Sequence, residues 1–181
     1  MVDTGTLTAI AAGSSWALAI GTLLILYWQG RLAQRLNSAN AVLELRQQFD
    51  SPRMRRARHH LSTRLLNNQH EDITSVEVAT FFELVGALTH RRVLDEDLIW
   101  EAFGTWVVNY YTAMRAPVDL IGRARTSLQD PLVFHEFEWL SGRIKSIDHR
   151  MLGRTHAQVV ESPNEVRAIL GRESTLDLDV S

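Results

Sequence analysis

There is no cysteine among the 181 residues. That excludes disulfides, cysteine nucleophiles and thiolate metal sites, and it fits a reducing compartment. Lysine is nearly missing too, since Lys145 is the one lysine among 19 basic residues. β-Turn dipeptides such as Asn-Gly are absent, and strand-like alternation is confined to the snatches "SVEV" and "TLDLDV". The chain therefore reads as all-α. No glycine-rich phosphate loop, GxSxG, HExxH or kinase signature occurs, so no familiar catalytic class is indicated.

The most informative absence is of charge. No charged residue and no histidine stands between Asp3 and Arg31. The apolar run from Leu7 to Trp28 makes a helix of roughly 33 Å, which matches a hydrocarbon core of about 30 Å. A signal peptide has a basic first segment, a shorter apolar run and a small-residue cleavage site; this chain opens "MVDTGT". Tyr27 and Trp28 suit the membrane–water interface. The expectation is one N-terminal transmembrane helix. Arg31 and Arg35 follow it without a nearby acid, so they face anionic lipid on the cytoplasmic side. The N-terminus is then outside and the body inside, in a single-pass protein of the inner membrane. Ala9, Gly13, Ala17 and Gly21 repeat every fourth position, a small-residue face through which a weak homo-oligomer is expected.

Four regions are expected: the anchor over 1–30, a basic juxtamembrane helical region over 31–70, a helical bundle core over 71–155, and a short helix with a loose acidic tail over 156–181. Residues 31–70 carry eight arginines against Glu44 and Asp50, a net of +6, while 71–181 carry 11 basic residues against 18 acids, a net of −7. The cluster "PRMRRARHH" (52–60) reads as a solvated or salt-bridged helix face. It reaches lipid only if the segment folds back, because screening acts over about 8 Å. Nucleic acid is not an expected partner, since aromatics are not interleaved with the arginines and the distal half is acidic.

Apolar spacing places the helices. Leu32, Leu36, Val42, Leu45 and Phe49 carry one out of the membrane. Ser51 caps the next, with Pro52 first and Met54, Ala57, Leu61 and Leu65 on one face. Thr74 and Glu77 have capping-box spacing ahead of inward Val78, Phe81, Phe82, Val85 and Leu88. Gly86 within that helix permits a close crossing. Asp95 caps a helix with Ile99, Phe103, Trp106, Tyr110 and Met114 inward, which Pro117 ends or kinks. Asp130 and Pro131 repeat the capping device before Val133, Phe137, Leu140, Ile144, Ile147 and Met151, a short heptad seam that reads as a bundle core helix. Ser162 and Pro163 start a last short helix, ended near Gly171.

"FFELVGALTHRRVLDEDLIWEAFGTWVVNYY" followed by "DPLVFHEFEWL" resembles the bacterial family catalogued as domain of unknown function 4760, over residues 40–152 or so. The matching positions are Phe81, Phe82 and Glu83, then Leu94, Asp95 and Asp97, then Phe103 and Gly104, an arginine at 123 or 125, and Phe134, Phe137, Glu138 and Leu140. Where the family has glycine before its Leu-Asp turn, this chain has Arg92-Val93. The resemblance implies a membrane helix with a helical body and implies no activity.

Four sets of residues, and Glu83 besides, raise the question of chemistry. His135, Glu136 and Glu138 offer metal-ligand spacing, but a zinc site needs three or four converging ligands and no second motif supplies them, so no metal or cofactor is expected. His59, His60 and His149 read as surface residues. Asp95, Glu96 and Asp97 read as first-turn partners of the helix dipole, and Trp100, Trp106 and Trp139 as core or interface. Glu83 is the exception. It lies in the most apolar helix of the body with no cation one turn away, so it needs a partner from elsewhere. The resemblance points to Arg123, with Arg125 second, as the other half of a structural ion pair. The expected function is a non-catalytic membrane-anchored interaction or scaffold module with an unidentified protein partner. The alternative is a membrane-tethered effector or enzyme, such as a defence toxin, with a polar site between helices.

Overall fold

A computed structural model of the chain describes residues 29, 36–67, 76–116, 119–153 and 163–175. The described residues are helix, turn or irregular backbone, and the fold is all-α. The expected anchor, its face of Ala9, Gly13, Ala17 and Gly21, and its flanking Arg31 and Arg35 lie outside the described residues. No helix among the described residues is long and apolar enough to cross a membrane. The chain divides into two units, Met1–Ser38 and Ala39–Ser181, and the helical body is the second.

Helical residues 36–49 form α1. It is followed by α2 (Pro52–Leu66), α3 (Val76–His90), α4 (Glu96–Arg115), α5 (Leu120–Leu128), α6 (His135–Leu152) and α7 (Pro163–Ser174). Two starts follow from local capping. The Ser51 hydroxyl accepts the Met54 N–H at 3.3 Å, with Pro52 in the first turn. One Asp95 oxygen accepts the N–H groups of Asp97 and Leu98 at 3.0 and 3.2 Å, and Glu96 and Asp97 add negative charge where the α4 dipole favours it.

The break between α3 and α4 is sharper. Arg92 has φ +59°, a left-handed conformation that favours glycine. The N–H groups of Arg92 and Val93 donate to Thr89 and Leu88 carbonyls, each at 2.9 Å, and close the helix. Arg92 thus makes this left-handed turn without glycine.

Three starts and ends differ from the sequence reading. A separate helix, α5, follows Pro117; Asp119, itself left-handed, caps it by accepting the Gly122 N–H at 3.0 Å. Asp130 caps only a turn, through the Leu132 N–H at 2.9 Å. The chain stays in turns to Phe134 (φ +58°), so α6 begins at His135 rather than at Pro131. Finally, α7 does not stop at Gly171. It continues to Ser174, and Val166, Ile169, Leu170 and Glu173 form a buried stripe at helical spacing.

The core gathers around Phe49. Its ring lies 5.3 Å from Phe81, 5.6 Å from Phe82 and Phe103, and 5.7 Å from Trp106. Phe82 in turn stacks on Phe137 at 5.3 Å. Such pairs add to the burial of large rings that dominates the stability of a body this small. α6 packs on both α3 and α4, and α7 packs on α2. The α6 seam is buried from Phe137 to Ile147, but Met151 is half exposed, so α6 is a bundle helix whose stripe ends where its neighbours end.

Candidate functional site

The sequence motif that carries the family resemblance lies mainly where α3 meets the start of α6. On α3, residues 83, 86 and 90 share one face, at the spacing of three and four that a helix requires. Gly86 sets the distance. A Cβ there would run into the backbone carbonyl of Glu136, whose carbon would lie 2.7 Å away. The close crossing expected of Gly86 is therefore present, and its partner is the first turn of α6.

That turn needs a cap from elsewhere. Phe134, at the N-cap position, makes no side-chain cap hydrogen bond, and the first amides of a helix have no acceptor inside it. Glu83 supplies one from α3. Its two oxygens accept the N–H groups of Glu136 at 3.2 Å and Phe137 at 2.7 Å. A carboxylate on a helix N-terminus also gains from the dipole. The pairing expected of Glu83 was with Arg123; the contacts by which Glu83 clamps two helices here are to backbone amides. One turn on, the His90 Nδ1 lies 2.9 Å from Glu136 Oε2, and its ring stacks on Trp139 at 4.3 Å.

Arg125, second choice for Glu83, is engaged elsewhere. It donates to Glu138 at 2.8 Å and to the Val133 carbonyl at 2.9 Å, tying α5 to the turn before α6. Its hydrogen bond holds the Glu138 carboxyl below the usual range, helped by the Tyr111 hydroxyl. Burial, with Glu138 beside it, pushes the Tyr111 hydroxyl up to about 12. Of the three residues with metal-ligand spacing, Glu136 thus faces His90, Glu138 faces Arg125, and His135 is exposed. Among the described residues, no three His, Asp or Glu side chains converge as a metal site would require. Glu96 and Asp97 do more than meet the α4 dipole: they pair with Arg143 and Arg150 at 2.6 and 2.8 Å, and Trp100 donates to Asp148 at 3.2 Å.

A second polar assembly escaped sequence reasoning. Arg58, expected on a solvated face, is buried between α2, α4 and α7. Its Nε lies 3.1 Å from Glu173 Oε2, although the N–H is not aimed to make a hydrogen bond. The guanidinium carbon sits 4.1 Å above the Phe49 ring and 5.4 Å from Trp106, a cation–π arrangement. The Tyr110 hydroxyl donates to the same Glu173 oxygen at 3.4 Å and meets the Ser62 hydroxyl at 3.3 Å. Burial drives the Tyr110 hydroxyl well above its ordinary value, and also raises the Glu173 carboxyl against the opposing pull of Arg58. The one signal in the sequence was spacing: Glu173 continues the stripe of Val166, Ile169 and Leu170.

Together these contacts define a small all-α bundle in which side chains from one helix hold the ends of another. The chain belongs to the family described as Domain of unknown function (DUF4760), which it matches over residues 9–144. No curated protein and no solved structure matches it. The α3–α6 joint lies within the matched span, whereas α7 and Glu173 lie beyond it.

Proposed function

We propose that this protein is a membrane-tethered interaction module that works by presenting a helical body rather than by chemistry. In this reading residues 7–28 span the inner membrane, Arg31 and Arg35 meet anionic lipid, and the body lies in the cytoplasm. The face of Ala9, Gly13, Ala17 and Gly21 brings two anchors together. One observation supports it most. The polar residues of the family motif are spent on helix ends and helix pairs: Glu83 caps α6, Asp95 caps α4, and Glu138 binds Arg125. A catalytic acid or base must reach a substrate, and these carboxylates already have partners of good geometry.

The absence of native cysteine makes the test direct. On intact cells, Thr4→Cys should react with a membrane-impermeant thiol reagent and Thr175→Cys should not. The reverse pattern, or reaction at both, overturns the topology. Gly13→Ile with Gly21→Ile should reduce crosslinking in membranes while leaving the body folded. For the interaction itself, native-anchor pull-downs should recover a defined partner that is lost with the anchor. Growth arrest on overexpression that a single polar substitution abolishes, with insertion intact, would instead identify an effector.

A further inference from the structure

α2 is one-sided in charge as well as in packing. Its 15 residues hold five arginines, two histidines and no acid. Met54, Arg58, Leu61 and Ser62 are buried, so one arginine is spent on the interior, where Asp50 and Glu173 meet it. On the opposite side Arg53, Arg56, His60 and Arg64 follow one another at spacings of three, four and four. At about 100° per residue they fall within roughly 80° of one another, along about 17 Å of helix. Arg53, Arg56 and His60 are exposed and Arg64 is half-buried. Arg53 pairs with Glu77 at 2.9 Å, but its side chain is 80% exposed, and an exposed pair is worth little and is readily exchanged. Beyond α2 the chain is acidic, since residues 71–181 carry a net of −7. The body is therefore polarised, with a straight cationic stripe on the outer face of α2.

We propose that this stripe docks the body on an anionic bilayer, with Arg53, Arg56 and Arg64 taking lipid phosphates. This rests on the proposed reading as a membrane-tethered module, and it adds a contact beyond Arg31 and Arg35. Charge and shape both fit. Each basic residue beside an anionic leaflet favours the surface by about fivefold, and a polarised body gains again by turning its acidic remainder away. A bilayer is flat, so a straight stripe on one helix face meets it along its whole length. Nucleic acid fits less well. α2 offers bases no aromatic ring but histidine to stack on, and the acidic remainder repels a long polyanion. The path of the chain is compatible with docking. Ser51 is extended between α1 and α2, with φ −63° and ψ 151°. α2 is therefore not a straight prolongation of α1 that carries its arginines out of range of lipid, where screening over about 8 Å would silence them.

The test uses the full chain in lipid nanodiscs, with one introduced cysteine and a neutral, soluble maleimide. His60→Cys lies on the stripe, and Ser127→Cys lies exposed on α5. The comparison is between discs of phosphatidylcholine alone and discs of phosphatidylcholine and phosphatidylglycerol in equal parts. His60→Cys should react about tenfold more slowly in the anionic discs, which is less than three arginines allow. Ser127→Cys should react alike in both, and high salt should remove the difference at position 60. Arg53→Gln with Arg56→Gln and Arg64→Gln should remove it too. The same three positions changed to lysine should keep it, which separates loss of charge from loss of fold. Equal rates in the two lipids, a like slowing at Ser127→Cys, or a slowing that the glutamine variant keeps overturns the proposal. So does slowing by a DNA duplex in neutral discs with none from anionic lipid, which gives the stripe to nucleic acid. The anchor reading fails separately: a chain that does not stay with phosphatidylcholine discs lacks the anchor, and anionic vesicles added to that chain still read the stripe.

Discussion

The body is held together by two joints of opposite character. Where α3 meets α6, a glycine lets two backbones touch and a carboxylate takes two amides, one of them at 2.7 Å. Where α7 meets α2, long side chains carry the contact, a charge pair is buried, and Arg58 Nε lacks a hydrogen-bond partner. The first joint is short-range and directional. Its donors are fixed by the α6 backbone, so they lose no side-chain entropy when Glu83 binds them. The second depends on arginine and glutamate rotamers and on desolvated charge. Polar burial thus takes two forms in one small bundle: a carboxylate on backbone amides between α3 and α6, and a side-chain charge pair between α2 and α7.

This contrast can be broken most severely at the glycines. Gly86→Val drives side-chain atoms into the Glu136 backbone, which cannot turn aside as a flexible side chain would. Global stability should fall by about 3 kcal/mol, the upper end for overpacking, as a lower denaturation midpoint with unchanged slope. The matching change in α7 should act in the other direction. A Cβ on Gly171 meets nothing within 4 Å, so Gly171→Ala should stabilise α7 by about 0.5–1 kcal/mol through helix propensity alone. If both variants behave alike, the two joints do not differ as described.

Glu83 comes next in size. Glu83→Ala leaves two α6 amides uncapped and should cost about 1.5–3 kcal/mol, the range for hydrogen bonds to a charged group. Glu83→Gln keeps one acceptor and should recover part of the loss. A Glu83→Ala loss below about 1 kcal/mol, the level of an exposed contact, would show that the clamp carries no weight. Glu83→Ala should cost the same in an Arg123→Ala background, because the Glu83 carboxylate is taken up by two α6 amides. At the far end of α3, Arg92→Gly should raise stability by roughly 1 kcal/mol, by relieving a left-handed residue that bears a Cβ.

The smallest effect sharpens the comparison through pH. Burial holds the Glu173 carboxyl above its ordinary 4.5. A carboxyl raised in the docked state binds its proton more tightly there than when free. Docking of α7 is therefore favoured most below pH 4.5 and weakens as pH rises through the raised value. Hydrogen exchange of α7 amides, corrected for intrinsic rates, should show more protection near pH 4 than near pH 7. Glu173→Gln should flatten that dependence. Glu138 acts in the opposite sense: Arg125 depresses its carboxyl, so its contribution at the α5–α6 corner is present above pH 4.5 and fades as pH falls through the lowered value.

Much of this protein is determined within a few residues of chain. Ser51 and Asp95 cap the helices they precede because a cap needs only the next two or three amides. The stripes of α3, α4 and α6 point inward because apolar side chains three and four apart share a face. Gly86 marks a close approach because glycine is the one residue that permits it. The family motif likewise records local packing, which is why it was legible over α3 to α6. What the tertiary structure decided are the partners. Glu83 stood out as needing one, but its acceptor role is fixed by amides 53 and 54 residues away. No local pattern distinguishes those amides from an arginine. The start of α6 moved past Pro131 for the same reason, since its cap is on another helix. Arg58 looked like one arginine in a solvated run, and Glu173 like part of a loose tail. They meet inside the bundle, and a charge so far along the chain becomes a neighbour only once the bundle has formed.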